Sequence, residues 1–217
     1  MEKKELLEKL KKEAYVTSPQ HSFKNIKGVS ATMQFLRDEE GEVLYAPRKK
    51  VMGYDLDGVI FSIKKAIELT NEKIGTSIKL DTMTAIDYEI VYYATMDDAI
   101  QKRIIKESMP NMRMVEDLAE EHLNGSEIVL ITARHVDYAN ETIAALNKFG
   151  VYFDKLYFTE DKLPLIRRLG IDWFYDDKSE TIQKIKETSK HTKAVLVSAP
   201  YNRDATIYDY RYKVGTI

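Results

Sequence analysis

Val51-Met-Gly-Tyr-Asp-Leu-Asp-Gly-Val-Ile60 is the stretch that decides the fold of this chain. It has the composition of a short buried strand, and it carries two carboxylates, Asp55 and Asp57, at its carboxyl end. Residues two apart on an extended strand point to the same face, and Gly58 lets the backbone turn directly afterwards. Acids at the end of an apolar strand cost desolvation energy unless a positive group lies beside them, and a divalent cation meets that need. The alternative is an ordinary strand-to-turn junction, where Asp-Gly is common.

The composition limits the classes of protein to consider. The chain has 217 residues, a formal net charge of -2 and no cysteine. This length fits one large domain or a domain with an insertion, and the lack of cysteine excludes disulfides and thiolate metal sites. The near-neutral charge gives no electrostatic reason to expect nucleic acid or a membrane surface as a partner. Without an apolar run long enough for a bilayer or a signal peptide, we expect an intracellular, cytoplasmic protein.

Residues 1–50 form a predicted leader in which we find no chemistry. Leucines among alternating lysines and glutamates predict a short amphipathic helix over residues 2–14. Two strands, 29–36 and 43–46, are predicted to form a hairpin. The leader could pack on the main domain, cover a sheet edge or mediate assembly into a homo-oligomer, and the sequence leaves these alternatives open.

A helical block follows the opening strand. Its helices are predicted at 63–73, 81–94, 96–107 and 115–123. Asp81 and Thr95 are expected as amino-terminal caps. The block separates the first strand from the next by about 55 residues, which is too long for a simple crossover. We therefore interpret residues 62–110 as a helical insertion over the carboxyl end of the first strand.

Three tyrosines of this insertion, Tyr88, Tyr92 and Tyr93, lie at helical spacing. They could form an aromatic wall that stacks on a ring of the substrate. They could instead form the insertion's own core, which is the interpretation that we favour.

The second half of the chain alternates strands with helices. The strands are predicted at 127–132, 155–158, 173–175 and 194–197, and the helices at 136–149, 162–169 and 179–187. Such alternation with short connections predicts an α/β fold, in which helices cover both faces of a parallel sheet. Ligands of these sheets bind beyond the carboxyl ends of the strands, and the polar residues of this chain collect there.

Two strand ends carry groups that suit an anionic ligand. The strand 127–132 ends at Thr132-Ala133-Arg134, where a hydroxyl and backbone N–H groups can hold an anionic oxygen. Thr132 could instead cap the next helix. Lys162, after the strand 155–158, could neutralise carboxylates or bind a phosphate, although a lone lysine at this position would be an ordinary surface residue.

The strand 173–175 ends at Asp176-Asp177. Adjacent acids in a partly buried place repel each other, so a structural role does not explain them. An oxygen-rich site for a hard cation does, and Mg²⁺ is the simplest choice. The predicted metal ligands are Asp55, Asp57, Asp176 and Asp177, with Lys162 and Thr132 on the far side of a phosphoryl group.

The four strand-end motifs together resemble the haloacid dehalogenase superfamily of phosphotransferases over residues 51–203. Four stretches are similar, more narrowly, to the 5′(3′)-deoxyribonucleotidase family. They are Asp55-Leu-Asp-Gly-Val59, Ile131-Thr-Ala-Arg134, Tyr157-Phe-Thr-Glu-Asp-Lys162 and Phe174-Tyr-Asp-Asp-Lys178. Pro200-Tyr201-Asn202 also resembles bacterial and phage members.

The resemblance implies a Rossmann-like core of residues 51–61 and 111–217, in which helices flank a central parallel sheet. Residues 62–110 would then be a small helical cap. The leader departs from the family pattern, so assembly and regulation do not carry over. Ala133-Arg134 differs from the animal enzymes of the family, so their sugar preference does not carry over either.

The resemblance also implies residue roles. Asp55 would be the nucleophile that forms an aspartyl-phosphate, and Asp57 the acid and then the base, with its backbone carbonyl on the metal. Asp177 would bind the metal directly, and Asp176 would hold Lys162 or a metal-bound water. Thr132 and Lys162 would serve catalysis, and substrate binding would use Thr132, Ala133, Arg134 and Lys162. Tyr92 and Asn202 are further candidates for substrate contact, although a structural role is favoured for each of them and for Arg134.

The resulting expectation is a Mg²⁺-dependent phosphomonoesterase of nucleoside monophosphates. The alternatives are a phosphatase of the same fold that acts on another small phosphoester or a nucleic-acid 3′-phosphate, and a non-catalytic binding protein with this fold. A compact cap favours a small substrate over a polymer.

Overall fold

The computed structural model describes residues 2–17, 36–37, 43–44 and 48–213, with side chains for 2–11 and 48–213. A short hairpin pairs β1 with β2, and a second sheet contains strands β3 to β8. The strands are β1 Leu36–Arg37, β2 Val43–Leu44, β3 Val51–Tyr54, β4 Glu127–Thr132, β5 Lys155–Phe158, β6 Trp173–Asp176, β7 Lys193–Val197 and β8 Tyr210–Tyr212. The helices are α1 Lys3–Thr17, α2 Lys64–Ile74, α3 Ala85–Ala94, α4 Asp98–Glu107, α5 Met112–Leu123, α6 Ala139–Lys148, α7 Leu163–Leu169 and α8 Ser179–Thr188.

The large sheet is parallel throughout, in the order β5-β4-β3-β6-β7-β8. One apolar cluster packs α5 and α6 on one face, and another packs α7 and α8 on the opposite face. The predicted α/β class is therefore confirmed. Because β3 lies between β4 and β6, the carboxyl ends of these three strands meet at one edge of the sheet.

Several local expectations need correction. Asp81 and Thr95 are not the amino-terminal caps: Thr84 caps α3 in a reciprocal capping box with Asp87, and Asp97 caps α4. Strand β8 was not predicted from the sequence. Of the leader hairpin, β1 and β2 are seen, and the rest of the predicted strands lies outside the described residues. No helix in the described ranges is long and apolar enough to cross a membrane.

Helix α1 packs on α3, which belongs to residues 62–110. Leu7 and Leu10 are buried against Ile90 and Ala94. The ammonium of Lys3 lies 2.6 Å from a carboxylate oxygen of Asp87. Lys11 pairs with Glu89 at 3.1 Å. The described helix of the leader is thus fixed to the inserted helices by apolar contacts and ion pairs.

Replacing Leu10 with alanine should lower the free energy of unfolding by about 2–4 kcal/mol, because the substitution leaves a cavity where the buried leucine side chain was. Urea unfolding of the full chain measures this change. Lys4→Ala on the exposed side of the same helix is the control and should leave stability unchanged. Equal stability of Leu10→Ala and wild type would show that α1 adds nothing to the cooperative fold.

Candidate active site

Three buried carboxylates converge at the carboxyl ends of β3 and β6. Asp55 follows β3, Asp176 ends β6, and Asp177 comes next; all three are at most 4% exposed. The backbone N–H of Asp55 donates to the carbonyl of Tyr175 at 2.9 Å, which extends the pairing of the two strands to this point. The pairing of adjacent parallel strands therefore brings together acids that are about 120 positions apart in the chain.

Lys162 lies between two of these acids. It precedes α7, and its ammonium is 2.8 Å from Asp55 Oδ1 and 2.7 Å from Asp176 Oδ2. Burial acts to lower the pKa of Lys162, but the charges of Asp176 and Asp55 outweigh it and raise the pKa. The lysine is thus a permanent cation. Asp55 is affected in turn: burial, partly offset by Lys162, raises its pKa to about 6.

Asp177 has the least compensated charge. Burial, together with the charges of Asp176 and Asp55, raises its pKa to about 8. Its Oδ2 accepts a hydrogen bond from the Tyr201 hydroxyl, whereas Oδ1 is buried without a hydrogen-bond partner. Gly58, at φ +83°, packs against this carboxylate, and a Cβ there would lie 2.2 Å from Asp177 Oδ2. Only glycine fits this position, both for its φ and for the space.

The residues present fit a divalent cation. One carboxylate oxygen from each of Asp55, Asp176 and Asp177 lies within 4.8 Å of the other two. Two of these carboxylates, Asp55 and Asp176, share the single ammonium of Lys162, and Oδ1 of the third, Asp177, has no hydrogen-bond partner, so a further positive charge would complete the site. An oxygen-only donor set suits a hard cation such as Mg²⁺.

Asp57 lies beside this cluster and faces Arg134. Arg134 Nε and Nη2 donate to its two carboxylate oxygens at 2.8 and 2.7 Å. Burial acts to raise the pKa of Asp57, but the charge and hydrogen bonds of Arg134 outweigh it and lower the pKa. The Asp57 side chain is 40% exposed and stands outside the three-carboxylate group, so the metal role predicted for Asp57 depends on its backbone carbonyl.

Arg134 is placed as a support for Asp57. Its side chain is 3% exposed, its third nitrogen, Nη1, lies 3.3 Å from Thr142 Oγ1, and its guanidinium stacks on Phe61. All three guanidinium nitrogens of Arg134 already have partners within the protein, which favours the structural role. A direct contact of Arg134 with substrate stays a prediction.

Thr132 and Ala133 end β4 at the same edge of the sheet. The register pairs Tyr54 with Leu130, which sets Thr132 level with the residues just after Asp55. Thr132 is 1% exposed, and its Oγ1 accepts from the backbone N–H of Arg134 at 3.2 Å. Thr132 does not cap the next helix, because His135 caps the turn Val136–Tyr138 and α6 begins only at Ala139. A contact of Thr132 with a phosphoryl group stays a prediction.

The three tyrosines of α3 separate into different environments. Tyr93 packs in the cluster with α1, in accordance with a structural role. Tyr88 stacks on Tyr201 of the core, with ring centroids 4.4 Å apart. Tyr92 is 37% exposed and lies under the ammonium of Lys178 at 5.1 Å.

Sequence reasoning missed two side chains of this site, Tyr201 and Lys178. Both lie in stretches that carry the family resemblance, but their positions relative to the strand ends predict no role for either. Lys178 directly follows the paired acids; burial lowers its pKa, but the charges of Asp55 and Asp176 outweigh this effect and raise it. Asn202, a candidate for substrate contact, is buried and donates to the carbonyls of Asp177 and Val197, so it has a structural role.

Curated proteins similar to this chain carry nucleotidase names. "Putative nucleotidase BH1399" of Halalkalibacterium halodurans is 24% identical over 167 residues, which cover 72% of this chain and 83% of that protein. "Putative nucleotidase" of Bacillus cereus is 24% identical over 149 residues, which cover 61% of this chain and 79% of that protein. No protein-family profile matches the chain.

Solved structures show the fold. A "predicted phosphoglycolate phosphatase" from Haemophilus somnus 129pt superposes with a TM-score of 0.53 at 14% identity, covering 76% of this chain and 93% of that one. A "Putative haloacid dehalogenase-like hydrolase" from Bacteroides fragilis gives 0.54 at 13% identity, covering 76% and 97%. A "Putative Phosphatase" from Clostridium difficile gives 0.52 at 15% identity, covering 78% and 96%. The chain has the haloacid dehalogenase-like fold, and the expected resemblance is confirmed at this level.

Proposed function

We propose that the protein is a Mg²⁺-dependent phosphomonoesterase that hydrolyses nucleoside monophosphates, as a 5′-nucleotidase does. The observation that carries the proposal is the buried group of Asp55, Lys162, Asp176 and Asp177, next to Asp57 at one edge of the sheet. The names of the curated relatives support a nucleotide as the substrate. Cytoplasmic location and assembly into a homo-oligomer stay predictions from the sequence.

The cation would be held by the carboxylates of Asp55, Asp176 and Asp177, with the backbone carbonyl of Asp57 as a further ligand. When bound, it offsets the charge of the phosphoryl oxygens. Lys162 contributes a fixed positive charge next to Asp55, where those oxygens would come to lie. Thr132 and the backbone amides near Ala133 are the proposed hydrogen-bond donors to the same oxygens.

In the first step, an oxygen of Asp55 attacks phosphorus, the bond between phosphorus and the ester oxygen breaks, and an aspartyl-phosphate forms. The leaving alkoxide takes a proton from Asp57. In the second step, water attacks the aspartyl-phosphate, gives a proton to Asp57, and phosphate leaves with Asp55 regenerated. The ion pair with Arg134 favours the charged form of Asp57, so the geometry supports the base role more directly than the acid role.

We also propose that residues 62–110 act as a cap. Asp55, Asp176 and Asp177 are almost fully buried, and Tyr88 from α3 stacks on Tyr201 beside them, so movement of these helices would change the access of a substrate to Asp55. A lid of this kind excludes water during phosphoryl transfer and favours a small substrate.

The test is a screen of phosphate release from nucleoside 5′-monophosphates, 3′-phosphorylated oligonucleotides and sugar phosphates, with and without Mg²⁺. We expect phosphate release from the mononucleotides that falls at least about 100-fold in EDTA, because Lys162 alone then offsets the phosphoryl charge, and that returns with excess Mg²⁺.

Other outcomes of the screen would contradict parts of the proposal. Undiminished activity in EDTA would show that hydrolysis does not need a divalent cation. Preference for oligonucleotide 3′ ends would favour an end-processing phosphatase, and no turnover of any phosphoester would favour a binding protein with this fold.

A further inference from the structure

We propose that Tyr201 is a positioning residue that holds the Asp177 carboxylate ready for the cation, and that Tyr88 keeps Tyr201 in place. The inserted helices would then influence cation binding through one pair of stacked rings. This inference depends on the proposed function, because it assigns a role at the same site. It concerns the Pro200–Asn202 turn, which the mechanism above does not use.

The turn holds Asp177 at two points. The Tyr201 hydroxyl donates to Asp177 Oδ2. Asn202, 4% exposed, donates from Nδ2 to the backbone carbonyl of Asp177 at 2.7 Å and to that of Val197 at 2.8 Å. The backbone and the side chain of Asp177 are therefore both fixed by consecutive residues of one turn.

The opposite side of the carboxylate is closed by Gly58. Asp177 Oδ2 lies in the space that a side chain at residue 58 would fill. With Oδ2 held between Gly58 and the Tyr201 hydroxyl, the carboxylate cannot rotate freely. Oδ1, which has no hydrogen-bond partner, is the oxygen left for a cation. Groups that orient a metal ligand in this way contribute to affinity without touching the metal.

Tyr201 is held in turn from the 62–110 helices. Its ring stacks on Tyr88 at 4.4 Å with an interplanar angle of 30°. Tyr88 lies on α3, whose other side packs against α1. Because the Tyr201 hydroxyl can reach Asp177 only while its ring keeps this position, moving α3 away would loosen the carboxylate. Cation affinity should therefore be higher when the inserted helices are closed.

Tyr201→Phe separates the two contacts, since it keeps the ring for Tyr88 and removes the hydroxyl. Calorimetric titration of the full chain with Mg²⁺, without substrate, should show affinity about 10–100-fold below wild type, as for other groups that orient metal ligands. In turnover assays, the Mg²⁺ concentration for half-maximal rate should rise, while kcat at saturating Mg²⁺ returns close to wild type. Tyr208→Phe is the matched control, because Tyr208 packs in a different apolar cluster.

Tyr88→Leu tests the second half of the inference and also serves if Tyr201→Phe fails to fold. It should weaken Mg²⁺ binding in the same direction by a smaller factor. The double variant should bind no more weakly than Tyr201→Phe, because both changes act through one hydroxyl. Additive losses would overturn the link through Tyr88.

The failures can be told apart. If the wild type hydrolyses mononucleotides with Mg²⁺ and Tyr201→Phe binds Mg²⁺ as tightly as the wild type, only the role of Tyr201 is overturned. A wild type without Mg²⁺ binding or turnover would overturn the proposed function and this inference with it.

Discussion

Asp55→Asn should lower kcat for phosphate release from a nucleoside monophosphate by at least about 1,000-fold. The substitution keeps the size of the side chain but removes the oxygen nucleophile, so no aspartyl-phosphate can form. Asp55 is 4% exposed, and its carboxylate lies 2.8 Å from the Lys162 ammonium, next to which the phosphoryl group is proposed to bind. Phosphate release at saturating Mg²⁺ measures the effect, since Asp55 is also a proposed cation ligand.

The control for this variant is Asp204→Asn, the same change at an exposed carboxylate, which should keep full activity. Circular dichroism and urea unfolding should show that the Asp55→Asn protein is folded. Turnover within tenfold of wild type would contradict the nucleophile assignment, although a Mg²⁺ site could still exist there. Trapping of labelled phosphate on wild type but not on Asp55→Asn would support it independently.

The residues after β3 and β6 show why the large-scale fold was predictable. Apolar runs that alternate with helical periods leave only a parallel sheet covered on both faces, and polar residues at strand ends must then share one edge. The convergence of Asp55 and Asp176 follows from that rule alone. Which oxygens face each other does not follow, because it depends on side-chain rotamers and on the neighbours that hold them.

Arg134 and Tyr201 mark the limit of sequence reasoning. Arg134 follows a predicted strand, and an arginine there suits a phosphate as well as an acid. Only the fold shows that two nitrogens of Arg134 donate to the carboxylate of Asp57. Tyr201 acts on Asp177 across 24 positions, and Tyr88 reaches Tyr201 from a different layer. Contacts of that kind leave no periodic signal in a sequence.

The predictions of the helix caps were wrong for a more local reason. Asp81 and Thr84 are both good capping residues near the start of α3, and their spacing from the apolar residues of the helix does not show which one is the cap. Thr84 is the cap because Asp87 lies three residues later and accepts a hydrogen bond from the backbone N–H of Thr84. Strand β8 was missed because Tyr210–Tyr212 is short and lies at the sheet edge, where pairing with β7 and not hydrophobic alternation defines it.

Lys162→Met should lower the free energy of unfolding by about 3–5 kcal/mol in the absence of divalent cations. Methionine fills similar space, so the loss comes from charge. Lys162 is the one described cation within 4.0 Å of Asp55 and Asp176, and both acids would remain buried without it. Urea unfolding at pH 7 measures the change.

Adding Mg²⁺ should restore part of the stability that Lys162→Met loses, because a cation among the three carboxylates supplies the missing positive charge. Activity should stay low, since the phosphoryl oxygens still lack the lysine. Lys155→Met is the control. It removes an ion pair with Glu127 in which the Lys155 side chain is 41% exposed. Exposed ion pairs contribute only about 0–1 kcal/mol to the free energy of unfolding. If Lys162→Met lowers the free energy of unfolding no more than Lys155→Met does, or if Mg²⁺ restores none of the lost stability, then Asp55, Asp176 and Asp177 do not form a cation site.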